Sequence, residues 1–274
     1  MDLRQVEASG PGGRVVVADV RAHLAQSSVF NLQSPVSTRP TPVPSQPVVD
    51  GNLAPVSSIR RIIAERMVAS RQTTAHVTLA LEAEATGLAA WRAALKADGQ
   101  TVSYNELLVA VVAKALREHP ALMTQITADG QLKTPSQVNI GLAVDTPRGL
   151  LVPVLRDLAG KGTAQIAAEA QALIDRARTG KLKPDELSGG VFTISNLGMY
   201  EIELFTPVIN LPECAILGVG SIAERAVVRD GQVCARLTVA LSLAFDHRIV
   251  DGAPAARFLQ RVKQLIEQPL RLLG

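Results

Sequence analysis

From Ser57 onward the chain switches repeatedly between two hydrophobic periods. HVTLALEAEA sets Val77, Leu79 and Leu81 on one side at a period of two, the pattern of a strand with one buried face. VFTISN, ECAILGVGSI, RAVVRDG and the long apolar run QVCARLTVALSLAF read as further strands, with Asp230-Gly231 as a hairpin turn before the last. NIGLAVDT and LLVPVLRD add two more, turned at Pro147-Arg148-Gly149. Helical spacing appears in SSIRRIIAERMVAS, where Ile59, Ile62, Ile63 and Met67 share a face and Ser58 is the expected cap. SYNELLVAVVAKALREHP opens on a Ser103–Glu106 capping box and is apolar enough to be a buried helix. TAQIAAEAQALIDRARTG predicts a helix stopped by Gly180, and DGAPAARFLQRVKQLIEQP predicts the last one. Without regular βαβ alternation, these elements predict an α/β two-layer sandwich, a mixed sheet covered by helices, rather than a Rossmann fold or a barrel.

The pattern divides the chain into three zones. Residues 1–25 read as a small structured remnant, a Gly-rich loop followed by a short helical stretch. Residues 26–56 hold Pro35, Pro40, Pro42, Pro44, Pro47 and Pro55 among Ser, Thr, Gln and Val, and predict an extended, semi-rigid tether. Residues 57–274 form the large domain. The Gly-rich loop GPGG follows no strand and lacks the lysine of a phosphate-binding loop, so it is not read as one.

Composition narrows the function classes. Hydrophobic residues at 47% supply a core, built mainly from aliphatics because aromatics are only 3%. The net charge of +3 comes from scattered basic residues, and no basic block is interleaved with aromatics, which argues against nucleic-acid binding. Cys214 and Cys234 have neither metal-ligand nor disulfide-framework spacing, which suits a reducing compartment, with the bacterial cytoplasm preferred to an organelle matrix. Cys214 sits in an apolar strand, the usual home of an inert thiol rather than a nucleophile. No apolar run is long enough for a membrane span, and no metal site is expected.

The candidate chemistry lies in DHRIVDG, residues 246–252, between the apolar strand and the last helix. A histidine there, with a carboxylate at Asp251 four residues on, stands at a junction where folds expose reactive groups. Its ordinary pKa of about 6.5 suits proton abstraction near neutrality. The bland alternative is that His247 is a packing residue and Asp251 merely caps the helix.

DHRIVDG resembles the DHRxxDG signature of the dihydrolipoamide acyltransferases, the core components of 2-oxo acid dehydrogenase complexes, and is similar to the HxxxDG of chloramphenicol acetyltransferase. The resemblance covers residues 57–274 and implies a chloramphenicol acetyltransferase-like fold. GGVFTISNLGMY resembles the family's FTISNLG segment, whose serine stabilises the tetrahedral intermediate, which implies that role for Ser195. From the residues alone, the favoured reading of Ser195 is a strand-end serine making a local turn bond. The family implies His247 as the base that deprotonates a thiol and Asp251 as an orienting residue, with Asp246 a structural ion-pair partner. Asn196 and Gly198 are expected to shape the turn, Asn210-Leu211-Pro212 to line the channel, and His76 to be a core or surface histidine. ASGPGGRVVVADV resembles the second half of the family's peripheral subunit-binding domain, with Ala8 where a glycine is frequent.

What this implies is transfer of an acyl group, acetyl before branched-chain or succinyl, between dihydrolipoamide and coenzyme A. Coenzyme A and the lipoyl group are substrates, the latter carried on a lipoyl domain outside this sequence, which therefore reads as a fragment or a truncated product. Family catalytic domains form homotrimers with sites at subunit junctions, and the trimers build cubic or icosahedral cores. Dehydrogenase and dihydrolipoamide dehydrogenase partners are implied only so far as the partial binding domain suffices. Two rival readings are a non-catalytic core scaffold and a free-standing acetyltransferase.

Overall fold

The computed structural model describes residues 6, 8–20 and 54–272, within two compact units, Met1–Ala54 and Pro55–Gly274. In the first, Gly12 and Gly13 turn the chain at positive φ, which lets Gly10 pair with Arg14. The Asp19 carboxylate then reaches back to accept the N–H groups of Val16 and Ser9 at 2.9 and 3.0 Å, and the backbone is helical over 17–20. The rest of the expected remnant, and the tether expected over 26–56 except for 54–56, lie outside the described residues.

The second unit runs α1 (Ser58–Thr73), β1 (His76–Glu84), α2 (Thr86–Ala97), α3 (Tyr104–Glu118), β2 (Gln125–Ile126), β3 (Leu132–Lys133), β4 (Ile140–Leu142), β5 (Val154–Leu155), α4 (Thr163–Arg178), β6 (Phe192–Asn196), β7 (Ala215–Arg229), β8 (Gln232–Asp246) and α5 (Gly252–Glu267). Six strands form one sheet in the order β1-β8-β7-β6-β4-β5, and β2-β3 form a separate ribbon. β6 is parallel to β4 and β7, while the other pairings are antiparallel, so the sheet is mixed as the pattern predicts.

One face of the sheet carries the core. Phe192, Ile194, Leu217, Val219, Leu241, Leu243 and Phe245 project toward Leu88 of α2, Leu107 and Leu108 of α3, Ile166 of α4 and Phe258 of α5 in a single apolar cluster. The other face presents the alternate residues, Thr193, Ser195, Ile216, Gly218, Ser242 and Ala244. The irregular segment 201–213 crosses it, and Ile209 packs on Ile216 and Ala244. That segment is tied down from both sides: the Ser242 hydroxyl donates to the Phe205 carbonyl at 2.6 Å, and the Ser70 hydroxyl, at the end of α1, donates to that of Ile209 at 2.6 Å.

The local signals hold with four corrections. α1 is capped by Ser57, whose hydroxyl accepts the Arg60 N–H at 3.2 Å, not by Ser58, which is already helical. The segments ECAILGVGSI and RAVVRDG are one continuous strand, β7, bent by an irregularity between Val219 and Ile222. Gly220 sits at that bend because a side chain there would lie 1.9 Å from the Glu203 carbonyl oxygen. The hairpin of β4 and β5 is shorter than NIGLAVDT and LLVPVLRD suggest, with one further bridge at Val144–Leu151. α2 was not expected at all: its first turn has no side-chain cap. Elsewhere the Ser103–Glu106 capping box is formed, Gly180 ends α4 at φ +70°, and Asp230-Gly231 turns β7 into β8 with both φ angles positive.

Candidate active site

His247 is held by its neighbours rather than by its own ring. Asp246, almost fully buried at the end of β8, takes Arg248 in a forked ion pair, with Nη2–Oδ2 at 2.6 Å and Nε–Oδ1 at 3.0 Å. The same carboxylate accepts the N–H of Ala75 at 3.1 Å, and the His247 N–H donates to the Ala75 carbonyl at 2.8 Å. The Ala75 peptide is thus gripped on both sides, which fixes the backbone on either flank of the histidine. Burial would raise the Asp246 carboxyl, but the hydrogen bonds from Arg248 and Ala75 outweigh it and hold its pKa below the ordinary carboxylate value. Asp246 is therefore the structural ion-pair partner expected from the sequence.

The His247 side chain itself is 44% exposed, with its ring against Phe245 at 5.8 Å between centroids. Its Nδ1 faces Asp251 Oδ1 at 3.9 Å, within ion-pair range but beyond a hydrogen bond. Asp251 occupies the N-cap position of α5, yet its side chain makes no capping bond and is 85% exposed. The bland reading of Asp251 as a helix cap therefore fails.

Ser195 is the penultimate residue of β6, half-buried, and among the described residues its hydroxyl has no hydrogen-bond partner. The alternative of a local turn bond fails too. The turn beyond it is shaped instead by Asn196, whose Nδ2 donates to Asn105 Oδ1 at 2.7 Å and whose Oδ1 accepts the Gly198 N–H at 2.8 Å. Gly198 lies against the Gly220 carbonyl, 2.6 Å from where a Cβ would stand.

One chain does not bring the serine and the histidine together. Ser195 pairs with Gly218 of β7, and Gly218 with Ser242 of β8. His247 is therefore two strands across and five residues along, a separation of about 19 Å at ordinary strand spacing and rise. The faces differ as well. Ser195 projects from the face crossed by 201–213, whereas His247 stacks on Phe245, which belongs to the helix-covered side.

The remaining candidates take ordinary places. Cys214 is buried, its thiol donating to the Leu122 carbonyl at 3.1 Å, and burial pushes its pKa up to about 12, as suits an inert thiol. His76, opening β1, has both ring nitrogens buried without a hydrogen-bond partner, and burial together with nearby Arg71 lowers its pKa. Asn210, Leu211 and Pro212 line a cavity of about 600 Å³, together with Arg66, Lys133 and Glu213. Glu213 escaped the sequence reading because a glutamate beside PECAILG's apolar run carries no mark of burial; the structure buries it almost fully. Among the described residues no group of His, Cys, Asp and Glu side chains is arranged to hold a metal ion, and no helix is long and apolar enough to cross a membrane.

The sheet order and this site define an α/β domain of mixed topology whose candidate groups, Ser195 and His247, stand on opposite faces. Residues 50–274 match the model of the 2-oxoacid dehydrogenases acyltransferase (catalytic domain), and the chain belongs to that family. It is 39% identical over 285 residues to the dihydrolipoyllysine-residue acetyltransferase component of the pyruvate dehydrogenase complex of Bacillus subtilis, a match covering 100% of this chain and 64% of that relative. The chain thus spans less than two-thirds of the length of that protein. Among solved structures it is similar to the dihydrolipoamide acetyltransferase of Azotobacter vinelandii, studied for the role of a serine, a histidine and an asparagine in its catalytic mechanism (TM-score 0.80, 38% identity, 85% of this chain and 100% of that one). The cubic core of a pyruvate dehydrogenase multienzyme complex matches equally well, with TM-score 0.80, 38% identity and the same coverage.

Proposed function

We propose that this chain carries an acyltransferase core that moves an acyl group, acetyl in the first instance, between a dihydrolipoyl thiol and coenzyme A. On this reading His247 is the base, Ser195 the oxyanion donor and Asp251 the residue that orients the imidazole or its loop. Residues 57–274 are the catalytic domain, 26–56 its tether, and 1–25 part of a peripheral subunit-binding domain. The observation that carries the proposal is the pair of unsatisfied groups: an exposed imidazole on a locked backbone, and a hydroxyl free of any local bond. The spacing of the serine, histidine and asparagine of the Azotobacter enzyme equals that of Ser195, His247 and Asp251, which supports the same assignment with an aspartate in the third place.

The chemistry follows from these groups. His247, with Nδ1 turned toward Asp251, takes the proton of the incoming thiol on Nε2. The thiolate attacks the acyl carbon of the thioester, and the Ser195 hydroxyl donates to the oxyanion of the tetrahedral adduct. Collapse expels the second thiolate, which recovers the proton from the imidazolium. Since one chain holds the two groups about 19 Å apart on opposite faces, His247 and Ser195 are read as coming from neighbouring subunits of a homotrimer. Trimers would assemble further, into a cubic or icosahedral core; the likeness to a cubic core and the exposed apolar side chains of α1 support this, Ile62 and Val68 each being 52% exposed. Dehydrogenase and dihydrolipoamide dehydrogenase partners and a bacterial cytoplasmic setting belong to the same reading.

Thioester exchange between acetyl-CoA and dihydrolipoamide tests it directly. His247→Ala is expected to abolish exchange, and Ser195→Ala to lower turnover about 10²–10³-fold with coenzyme A affinity nearly intact. Wild-type protein that exchanges no thioester, or a Ser195→Ala variant as fast as wild type, would overturn the assignment.

A further inference from the structure

Beneath β6, the strand that carries Ser195, lies a polar network made entirely of buried or half-buried groups. Thr193 Oγ1 and Glu213 Oε2 are 2.5 Å apart, Asn210 Nδ2 donates to Glu213 Oε1 at 3.2 Å, and the same amide reaches Thr193 Oγ1 at 3.4 Å. Thr193 is 1% exposed and Glu213 3%. An acidic side chain so enclosed is costly unless it does something that an apolar residue of similar size cannot. Among the described residues no cation pairs with it: Arg66 and Lys133 line the adjoining cavity, but neither forms an ion pair with its carboxylate.

The network's position is informative. Thr193 and Ser195 are two residues apart in β6 and so project from the same face. Asn210 and Glu213 belong to the chain that crosses that face and leads into β7, the partner of β6. Over the neighbouring Gly218, opposite Ser195, Phe205 and Pro207 come close enough that a Cβ would stand 3.1 and 3.2 Å from them. The crossing segment is therefore packed beside the serine, and the Glu213 network ties it to the serine's own strand.

We propose that Glu213 is a positioning residue for acyl transfer: through Thr193 and Asn210 it locks the strand presenting Ser195 to the segment that covers it, and so fixes the hydroxyl's aim. This rests on the acyltransferase reading above. The network works without a charge. Burial raises the Glu213 pKa to about 8, so near neutrality the group is a carboxylic acid. Its carbonyl oxygen accepts from Asn210, and a hydroxyl such as that of Thr193 both donates and accepts, so the short contact persists with the proton on either side. Glutamine offers the same acceptor and a donor in nearly the same volume.

Glu213→Gln is thus expected to keep kcat for thioester exchange within about twofold of wild type. Glu213→Leu and Thr193→Val, which fill the space without the hydrogen bonds, are expected to lower kcat by about tenfold or more, leaving KM for coenzyme A unchanged. Amide hydrogen exchange gives a reading that needs no substrate: the amides of 193–197 should exchange faster in Glu213→Leu and at the wild-type rate in Glu213→Gln. Wild-type kcat together with wild-type amide protection in folded Glu213→Leu and Thr193→Val proteins would overturn the proposal, as would a Glu213→Gln protein as impaired as Glu213→Leu. Absence of exchange by the wild-type protein itself would instead sink the acyltransferase reading, and the amide measurement would still decide whether Glu213 locks the strand.

Discussion

At the scale of single residues, Asp246 shows how a signature can be conspicuous for one side chain and depend on its neighbours. The histidine is the proposed base, but the aspartate before it and the arginine after it hold the loop in place, through a buried carboxylate with four hydrogen-bonding contacts to Arg248 side-chain and backbone nitrogens. Arg248→Ala leaves that carboxylate buried without its cation, and unfolding in urea should show a loss of about 1–3 kcal/mol at neutral pH, below the full cost of a buried pair because the guanidinium is 45% exposed. The sign with pH is fixed by the direction of the shift. A carboxyl held below its ordinary 3.8 in the fold contributes stability that is present above that pH and is lost as pH falls through the lowered value. The gap between variant and wild type should therefore narrow below about pH 4; a gap unchanged down to pH 3 would show that the ion pair is not its source.

At the scale of elements, Asn196 joins two parts of the fold that the sequence keeps apart, the end of β6 and the first turn of α3. Asn196→Asp retains the acceptor for the Gly198 N–H but has no donor for Asn105 Oδ1. It is expected to lower the melting temperature and slow exchange without changing KM for coenzyme A, whereas Asn196→Ala, lacking both bonds, should be worse on both counts. Equal melting of all three proteins would remove Asn196 from the account. Such links explain what was legible in the chain and what was not. Elements with a start or stop written into them, the Ser103–Glu106 box, Gly180 and Asp230-Gly231, fall where the pattern puts them. α2 begins after Ala85 with no side-chain cap to announce its start, although Leu88, Trp91 and Leu95 keep a helical spacing and pack on the core. β7 looks broken in sequence because Ala223-Glu224 separates ECAILGVGSI from RAVVRDG, whereas Gly218 and Gly220, inside the first segment, are there for close approach by the crossing segment. Ser195 and His247 were both visible as candidates, the former through resemblance. Their separation depends on strand order, which hydrophobic periodicity does not encode.

At the scale of the whole molecule, the proposed division of the site between His247 and Ser195 would make assembly a condition of activity. Mixing denatured His247→Ala and Ser195→Ala chains in equal amounts and refolding them together should restore about a quarter of wild-type exchange, the fraction of junctions that pair an intact histidine with an intact serine in a random mixture. Neither variant refolded alone should recover, and a mixture as inert as its parts would exclude a shared site. The placement of the two groups on opposite sides of one sheet has a consequence for the life of the protein in the cell. On the proposed acyltransferase reading, a newly made, solitary chain holds half of each of two reaction centres and a whole one of neither, so it would draw nothing from the pool of activated acetate while it waits for companions. On that reading turnover would start with closure of the ring, and quality control of the assembly would be written into its geometry.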